Sequence, residues 1–336
     1  MKEADIRPKD LFQEYLRLSA LDAEAFFPEG ERAASACPGC GADESGKAFE
    51  KHGFGYRTCT ACGTLFVSPR PAVSAFNGFY ADSPSARYWS EVFFPAVMEA
   101  RREKIFRPRV EKVLDLLEER NAKAVRVVDV GAGLGLFLDE WKARRAEADL
   151  GAVEPSGLMA ETLRGRGYAV LEGFVENLDS LDADGHWREA ADLVTSFEVI
   201  EHVHDTLGYL SAIAGLVKPG GWVLITSLCL DGFDLQVLGR ASDSISPPHH
   251  INFMTLQGFR ALFERAGLGQ IELITPGKLD VDIVAGKAAD QPDVLDGQDF
   301  VKTLLARPEP VRQAFQSFLA DNGLSSHAWV LARKPL

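Results

Sequence analysis

The chain is 336 residues long, 46% hydrophobic and 25% charged, with a formal net charge of −13. A surface that tracks phosphates needs clustered Lys and Arg, so this balance speaks against a nucleic-acid partner. No stretch approaches the roughly 18 uninterrupted apolar residues of a membrane span, and the N-terminal MKEADIRPKD has no apolar run of the secretory kind. A cytoplasmic protein without a membrane span is the expectation.

Residues 8–27 read as one or two amphipathic helices within an N-terminal helical segment, 1–32. CPGCG and CTACG follow, with Cys37, Cys40, Cys59 and Cys62 spaced C-x2-C, eighteen residues, C-x2-C. In that spacing each pair sits on a tight turn and four thiolates converge on zinc. Two disulfides are the rival reading, and they suit a secreted chain. Between the pairs AFEKHGFGYRT reads as a hairpin, with His52 exposed, and TLFVSPRP leaves as a strand. The result is a zinc ribbon over 33–72, too small to fold well on core burial alone and held by its Zn2+.

A helical connector is expected over 73–122, with Val110, Val113, Leu114 and Leu117 as its buried stripe. A core over 123–278 then alternates β-rich runs with helical ones: AVRVVDV, LGAVE, DLVTSF, WVLITSL and IELIT. HAWVLAR supplies a last strand within 279–336, after a helical insertion that forms either a lid or a homodimer surface. Such alternation predicts an α/β fold, a mainly parallel sheet covered on both faces, with ligands at the carboxyl ends of the strands. Cys229, in the apolar run SLCL, reads as a core residue.

The first core strand runs into VVDVGAGLGLF, where Gly131, Gly133 and Gly135 allow close approach of a ligand to the backbone. The spacing is G-x-G-x-G, and Asp129 stands two positions before the first glycine, where it would repel a pyrophosphate and attract an ammonium group. Glu154 ends the second strand, placed to accept ribose hydroxyls.

VVDVGAGLG, AVEPS, FEVIEHVHD and LVKPGGWVLITS, in that order, resemble the successive motifs of class I S-adenosylmethionine-dependent methyltransferases. The resemblance covers roughly 105–275. It implies a Rossmann-like seven-stranded sheet, mainly parallel with the last strand antiparallel, plus the small N-terminal ribbon. It also implies that Gly131, Gly133 and Gly135 line the methionine and ribose, that Asp129 meets the methionine ammonium, and that Glu154 holds the ribose. Phe174 and Val175 would flank the adenine, with Phe197 and Glu198 closing the methionine side. His202 lies near this cleft.

SPPHHINFMT, after the fifth strand, lies on the same rim. Its prolines predict an extended backbone into His249, so that His249 and His250 face opposite ways. Thr255 then caps the helix LQGFRALFERAG. The loop resembles the Tyr-His-Glu-His-x-x-Tyr-Phe-Ser loop of sugar C-methyltransferases, which also carry an N-terminal cysteine-bound zinc module, and more closely the Pro-His-His loops of bacterial surface-glycan and small-metabolite methyltransferases. By that resemblance His250 is the catalytic base; His202, from its place near the cleft, is the next candidate, with satisfying local backbone groups as its alternative. The departures, Pro for Tyr and His249 for Glu, point to O-methylation rather than C-methylation. The expected reaction is methyl transfer to a small hydroxylated or sugar-linked acceptor. A nucleic-acid methyltransferase with the ribbon as reader, and an inactive core with an interaction ribbon, are the alternatives.

Overall fold

The computed structural model describes residues 2–28 and 30–336. A single helix, α1 (Lys9–Phe26), precedes the ribbon, whose strands β1 (Ser45–Lys51), β2 (Phe54–Cys59) and β3 (Leu65–Val67) form an antiparallel sheet. After α2 (Val73–Asp82) the chain is helical from 84 to 118. Three α segments, α3 (Pro84–Tyr88), α4 (Phe94–Arg101) and α5 (Arg107–Glu118), are joined by wider π turns at Trp89–Phe93 and Arg102–Phe106. The predicted stripe is nearly right: Val110, Val113 and Leu117 are buried, but Leu116 is buried in preference to Leu114.

The core comprises β4 (Arg126–Val130), α6 (Leu136–Arg144), β5 (Asp149–Glu154), α7 (Gly157–Gly165), β6 (Ala169–Glu172), β7 (Ala191–Phe197), α8 (Thr206–Leu216) and β8 (Val217–Leu228). It continues with β9 (Asn252–Phe253), α9 (Leu256–Arg265), β10 (Gly269–Ile274), the inserted helices α10 (Asp280–Asp290), α11 (Asp299–Leu305) and α12 (Glu309–Asp321), and β11 (His327–Arg333). Seven strands pair in the order β10-β11-β8-β7-β4-β5-β6, with β11 antiparallel to both neighbours and the other four pairings parallel. This is the expected Rossmann-like sheet with helices on both faces. Alternate side chains feed two cores: Val127 and Leu193 pack against Val113 and Trp141, and Val128 and Val194 against Ile213 and Phe259. Burial on both faces explains why these strands are almost continuously apolar. Among the described residues no helix is long and apolar enough to cross a membrane.

The ribbon, drawn from sequence as its own module, is built into the core. Strand β9, just past the two histidines, pairs antiparallel with β3 (Asn252 with Phe66, Phe253 with Leu65), giving a four-stranded sheet β9-β3-β2-β1. Phe54, Tyr56 and Phe253 share one apolar cluster with Phe27, Phe76 and Phe79 from the N-terminal helices. The pairing joins residues nearly two hundred apart in sequence, and no local pattern announces it.

Candidate active site

Strand β4 ends at Val130, and the next five residues turn back into α6. Gly131, Gly133 and Gly135 hold φ of +72°, +55° and +73°, a region that side chains with a Cβ rarely occupy. The three differ in what a side chain would meet. At Gly131 a Cβ would fall 2.7 Å from Val199 and at Gly135 2.5 Å from Leu163, whereas at Gly133 it meets no atom within 4 Å. Gly133 is therefore open for a ligand, and its neighbours are glycine for packing.

Glu154, buried at the end of β5, accepts the Gly133 N–H on one oxygen at 2.8 Å and the Ser156 N–H on the other at 2.9 Å. Burial pushes its pKa up, and these two bonds pull the other way. A carboxylate has about four acceptor positions, so two are left over. Asp129 is buried under the loop and accepts the Thr195 hydroxyl at 2.7 Å. Burial raises its pKa to about 7, against the Thr195 bond and the Arg109 charge. Of the two residues expected beside the adenine, only Phe174 has an open ring, at 44% exposure. Val175, at 2%, is part of the core, because the turn at Val175–Asn177 swings it inward.

Glu198 follows β7 with φ of +56°, a costly conformation away from glycine, and its surroundings hold it there. Its carboxylate accepts Thr226 Oγ1 at 2.6 Å and Arg109 Nη2 at 3.3 Å, with His327 Nδ1 at 3.4 Å. Burial pushes its pKa up, but His327 and Arg109 outweigh that and leave it at about 2. Phe197 packs on Phe137, ring centroids 4.6 Å apart, beneath the Arg109 guanidinium.

The motif FEVIEHVHD and the histidine loop are laced together. Glu201 C=O accepts the N–H groups of Ile251 and Asn252, and the Asn252 amide donates to the carbonyls of Ile200 and Val203. His249 is buried, 3.0 Å from Ser85 Oγ and packed against Phe79 and Tyr15. His250 is half-buried, its ring 4.8 Å from that of His202, whose ring is 6.5 Å from that of His249. The backbone between them is not the expected extended run: His250 N–H donates to the Ser246 carbonyl, so the segment is a turn.

Two carbonyls fix the imidazole tautomers. His250 Nδ1 lies 2.6 Å from Ser244 O and His202 Nδ1 2.8 Å from His249 O. A carbonyl can only accept, so each Nδ1 carries the proton and each Nε2 presents a lone pair. Burial lowers His250 to about 3 and His202 to about 4, so both rings are neutral at physiological pH. Glu201 offers a ligand atom within 4.8 Å of one on each ring, close enough for the three to share a cation. Burial and the Glu198 charge raise Glu201 to about 8.

The four ribbon cysteines also bring their sulfurs within 4.8 Å of one another, with Cys37 to Cys62 and Cys40 to Cys59 at 3.5 Å. Four thiolates about 2.3 Å from a tetrahedral Zn2+ would lie roughly 3.8 Å apart, so the set fits that ion. Each turn closes on a glycine with positive φ, Gly41 N–H on Cys37 O and Gly63 N–H on Cys59 O. His52 is exposed and Cys229 is buried in the core.

A family model described as a methyltransferase domain matches residues 98–273, just over half the chain. The chain belongs to that methyltransferase family. The ubiquinone biosynthesis O-methyltransferase of Bradyrhizobium sp. (strain ORS 278) is 31% identical over 132 residues, 36% of this methyltransferase and 50% of that one. That of Rhodopseudomonas palustris (strain BisB18) is 33% identical over 135 residues, again 36% and 50%. The chain thus spans about half the length of these curated relatives. A SAM-dependent methyltransferase of Thermotoga maritima, described as a possible histamine N-methyltransferase, superposes with TM-score 0.47 at 18% identity, covering 72% of this chain and 96% of that one.

Several residues of this methyltransferase site were not singled out in the sequence. Glu201 stands inside a quoted motif, and Arg101 and Arg109 sit in RREKIFRPR, a basic run that stands out in so acidic a chain. Thr226 in LVKPGGWVLITS, Asn252 in SPPHHINFMT, Tyr56 in the ribbon hairpin and His327 in HAWVLAR stand in stretches that signal strands or loops, but nothing local marks their side chains.

Proposed function

We propose that the protein transfers the methyl group of S-adenosylmethionine to a hydroxyl of a small acceptor, a hydroxylated or sugar-linked metabolite, with His250 as general base. The observation that carries the reading is the open face of Gly133, whose N–H rests on the Glu154 carboxylate within the family match. On this reading the open backbone seats the donor, Glu154 takes its ribose hydroxyls, and Asp129 takes its ammonium. The donor supplies a sulfonium methyl, which an oxygen displaces in line: the C–S bond breaks as the O–C bond forms.

Most of the acceleration in such a displacement comes from positioning. His250 contributes by accepting the hydroxyl proton on Nε2 as the oxygen becomes more acidic during attack; its ring is neutral and free to accept, while the burial that holds it at about 3 weakens it as a base. His202 stands beside it, and Glu201, neutral up to about pH 8, leaves no competing charge behind the pair. Zn2+ on the four cysteines would have a structural role, tying two turns together under the strand that carries the loop.

A Gly133→Ala variant tests the reading. The added methyl meets no protein atom, so stability should fall only by the strain of positive φ, about 1 kcal/mol, while the ligand space is filled. Calorimetric titration is expected to show micromolar binding of S-adenosylmethionine to the wild type and none to the variant. Equal affinities would move the donor elsewhere.

A further inference from the structure

Beside the glycine loop lies a second space, a cavity of about 340 Å³. It reaches the candidate donor site through Glu198, and no residue of 129–135 lines it, nor does Glu154. Its volume suits a metabolite rather than a polymer. Ile105, Leu279, Ile283 and Trp329 give it apolar wall. No residue of 246–255 lines it, and Ser244, whose carbonyl holds the His250 ring, links it to the histidine loop.

The charge of this cavity opposes that of the molecule. In a chain of net charge −13, its lining collects Arg7, Arg101, Lys104, Arg109, Lys112 and Lys278 against two carboxylates, Glu198 and Asp280. Three of the six have a carboxylate partner: Arg7 with Glu3 at 3.6 Å, Lys104 with Asp5 at 2.8 Å and Arg109 with Glu198 at 3.3 Å. Among the described residues, Arg101, Lys112 and Lys278 have none.

Arg101 is the unusual one. Its Nε is buried with no hydrogen-bond partner, as is that of Arg7. Burial lowers its pKa to about 10, and the like charges of Arg7 and Arg109 add to that. A buried donor without an acceptor, beside charges of its own sign, destabilises the empty protein. The π turn at Arg102–Phe106 directly follows Arg101 and brings Lys104 to the same cavity. An anion between the guanidiniums would satisfy the free donors and cancel the repulsion.

We propose that this cavity is the acceptor's seat and that the acceptor carries an anionic group, a phosphate or a carboxylate, bound at Arg101. Its reactive hydroxyl would extend past Glu198 toward the donor methyl, and the apolar wall would cover its ring or chain. This seat presupposes methyl transfer at the neighbouring glycine loop.

The test uses full-length protein saturated with S-adenosylhomocysteine, titrated with sodium pyrophosphate and separately with sodium benzoate at matched ionic strength. One anion should bind with one-to-one stoichiometry and raise the melting temperature. Pyrophosphate as the tighter probe indicates a phosphorylated acceptor, benzoate a carboxylated one. Arg101→Gln should weaken that binding by about tenfold or more, with S-adenosylhomocysteine affinity changed by less than about twofold. Lys278→Gln, an exposed rim change that leaves the core alone, should weaken it a few-fold, and it decides the matter if Arg101→Gln does not fold. Failure of both anions to bind more tightly than chloride overturns the seat, as does undiminished binding to the variants. So does an Arg101→Gln protein that loses S-adenosylhomocysteine as severely as the anion, because the arginine would then serve the cofactor's own carboxylate. Absence of any S-adenosylhomocysteine binding to the wild type refutes methyl transfer instead, and the anion titration on free protein still reads the cavity.

Discussion

Glu154 reaches the glycine loop across 21 residues of sequence, whereas the histidine loop depends on partners far away. Tyr56 holds the His250 carbonyl across 194 residues, Ser85 meets the His249 ring across 164, and Thr255 holds the Cys62 carbonyl across 193. The first region is a short strand–turn–helix–strand unit whose turn follows from its own glycines. The second is a turn whose position is set by a metal-sized cysteine cluster, a ribbon and the N-terminal helices. Donor binding and acceptor chemistry should therefore fail separately, and the predictions exploit that.

The largest expected effect is His250→Ala. Turnover at saturating substrate should fall roughly 10²-fold or more, with S-adenosylmethionine affinity near wild type. A variant that keeps its turnover would show that the loop only shapes the wall, and His202→Ala would be the next test. The reciprocal change is Glu154→Ala, which removes an acceptor from the donor side. It should weaken S-adenosylmethionine by about 1–3 kcal/mol and leave exchange protection of the histidine loop intact. Calorimetry giving equal affinities would take Glu154 out of the site.

Acidity probes the donor side through cofactor affinity. Asp129 in the free protein has its pKa raised to about 7, and an ammonium group favours the ionised form. Below that value the protein must release a proton to bind, so affinity should rise with pH and fall about tenfold per unit on the acid side. Constant affinity between about pH 5.5 and 8 would mean that the ammonium sits elsewhere.

Tyr56→Phe is the gentlest probe of the other region. It strips the His250 carbonyl of a donor at 2.7 Å and should cost about 1–2 kcal/mol of stability. Methyl transfer should drop several-fold while donor affinity holds. Loss of donor affinity instead would show that the two regions are one unit.

The same contrast explains what could be read in the sequence. Four β-rich runs, the glycine spacing and Glu154 fall within about a hundred residues, and each carries its own local signature, so the sheet and the contact of Glu154 with the glycine loop are legible. Thr255 was also legible as a cap, and its hydroxyl accepts the Gly258 N–H. The extended backbone expected at His249 is instead a turn, closed by the His250 N–H on the Ser246 carbonyl. The burial of Val175 and the pairing of Asn252 with Phe66 could not be read, because each depends on what tertiary packing brings alongside. The ribbon's cysteines suffice to describe it in the sequence, but they do not show that Thr206 and Arg265 of the core donate to the carbonyls of its Pro38 and Gly39.

Hydrogen exchange on protein stripped of metal by a chelator, with S-adenosylmethionine present, tests the central claim most directly. Metal analysis before treatment should find one zinc per chain. After stripping, protection should fall together over 45–67 and 246–255, while 126–154 keeps its protection and its cofactor. Deprotection of the ribbon with 246–255 unchanged, or loss of protection over 126–154 as well, would contradict a histidine loop braced by the ribbon beside a self-sufficient donor site.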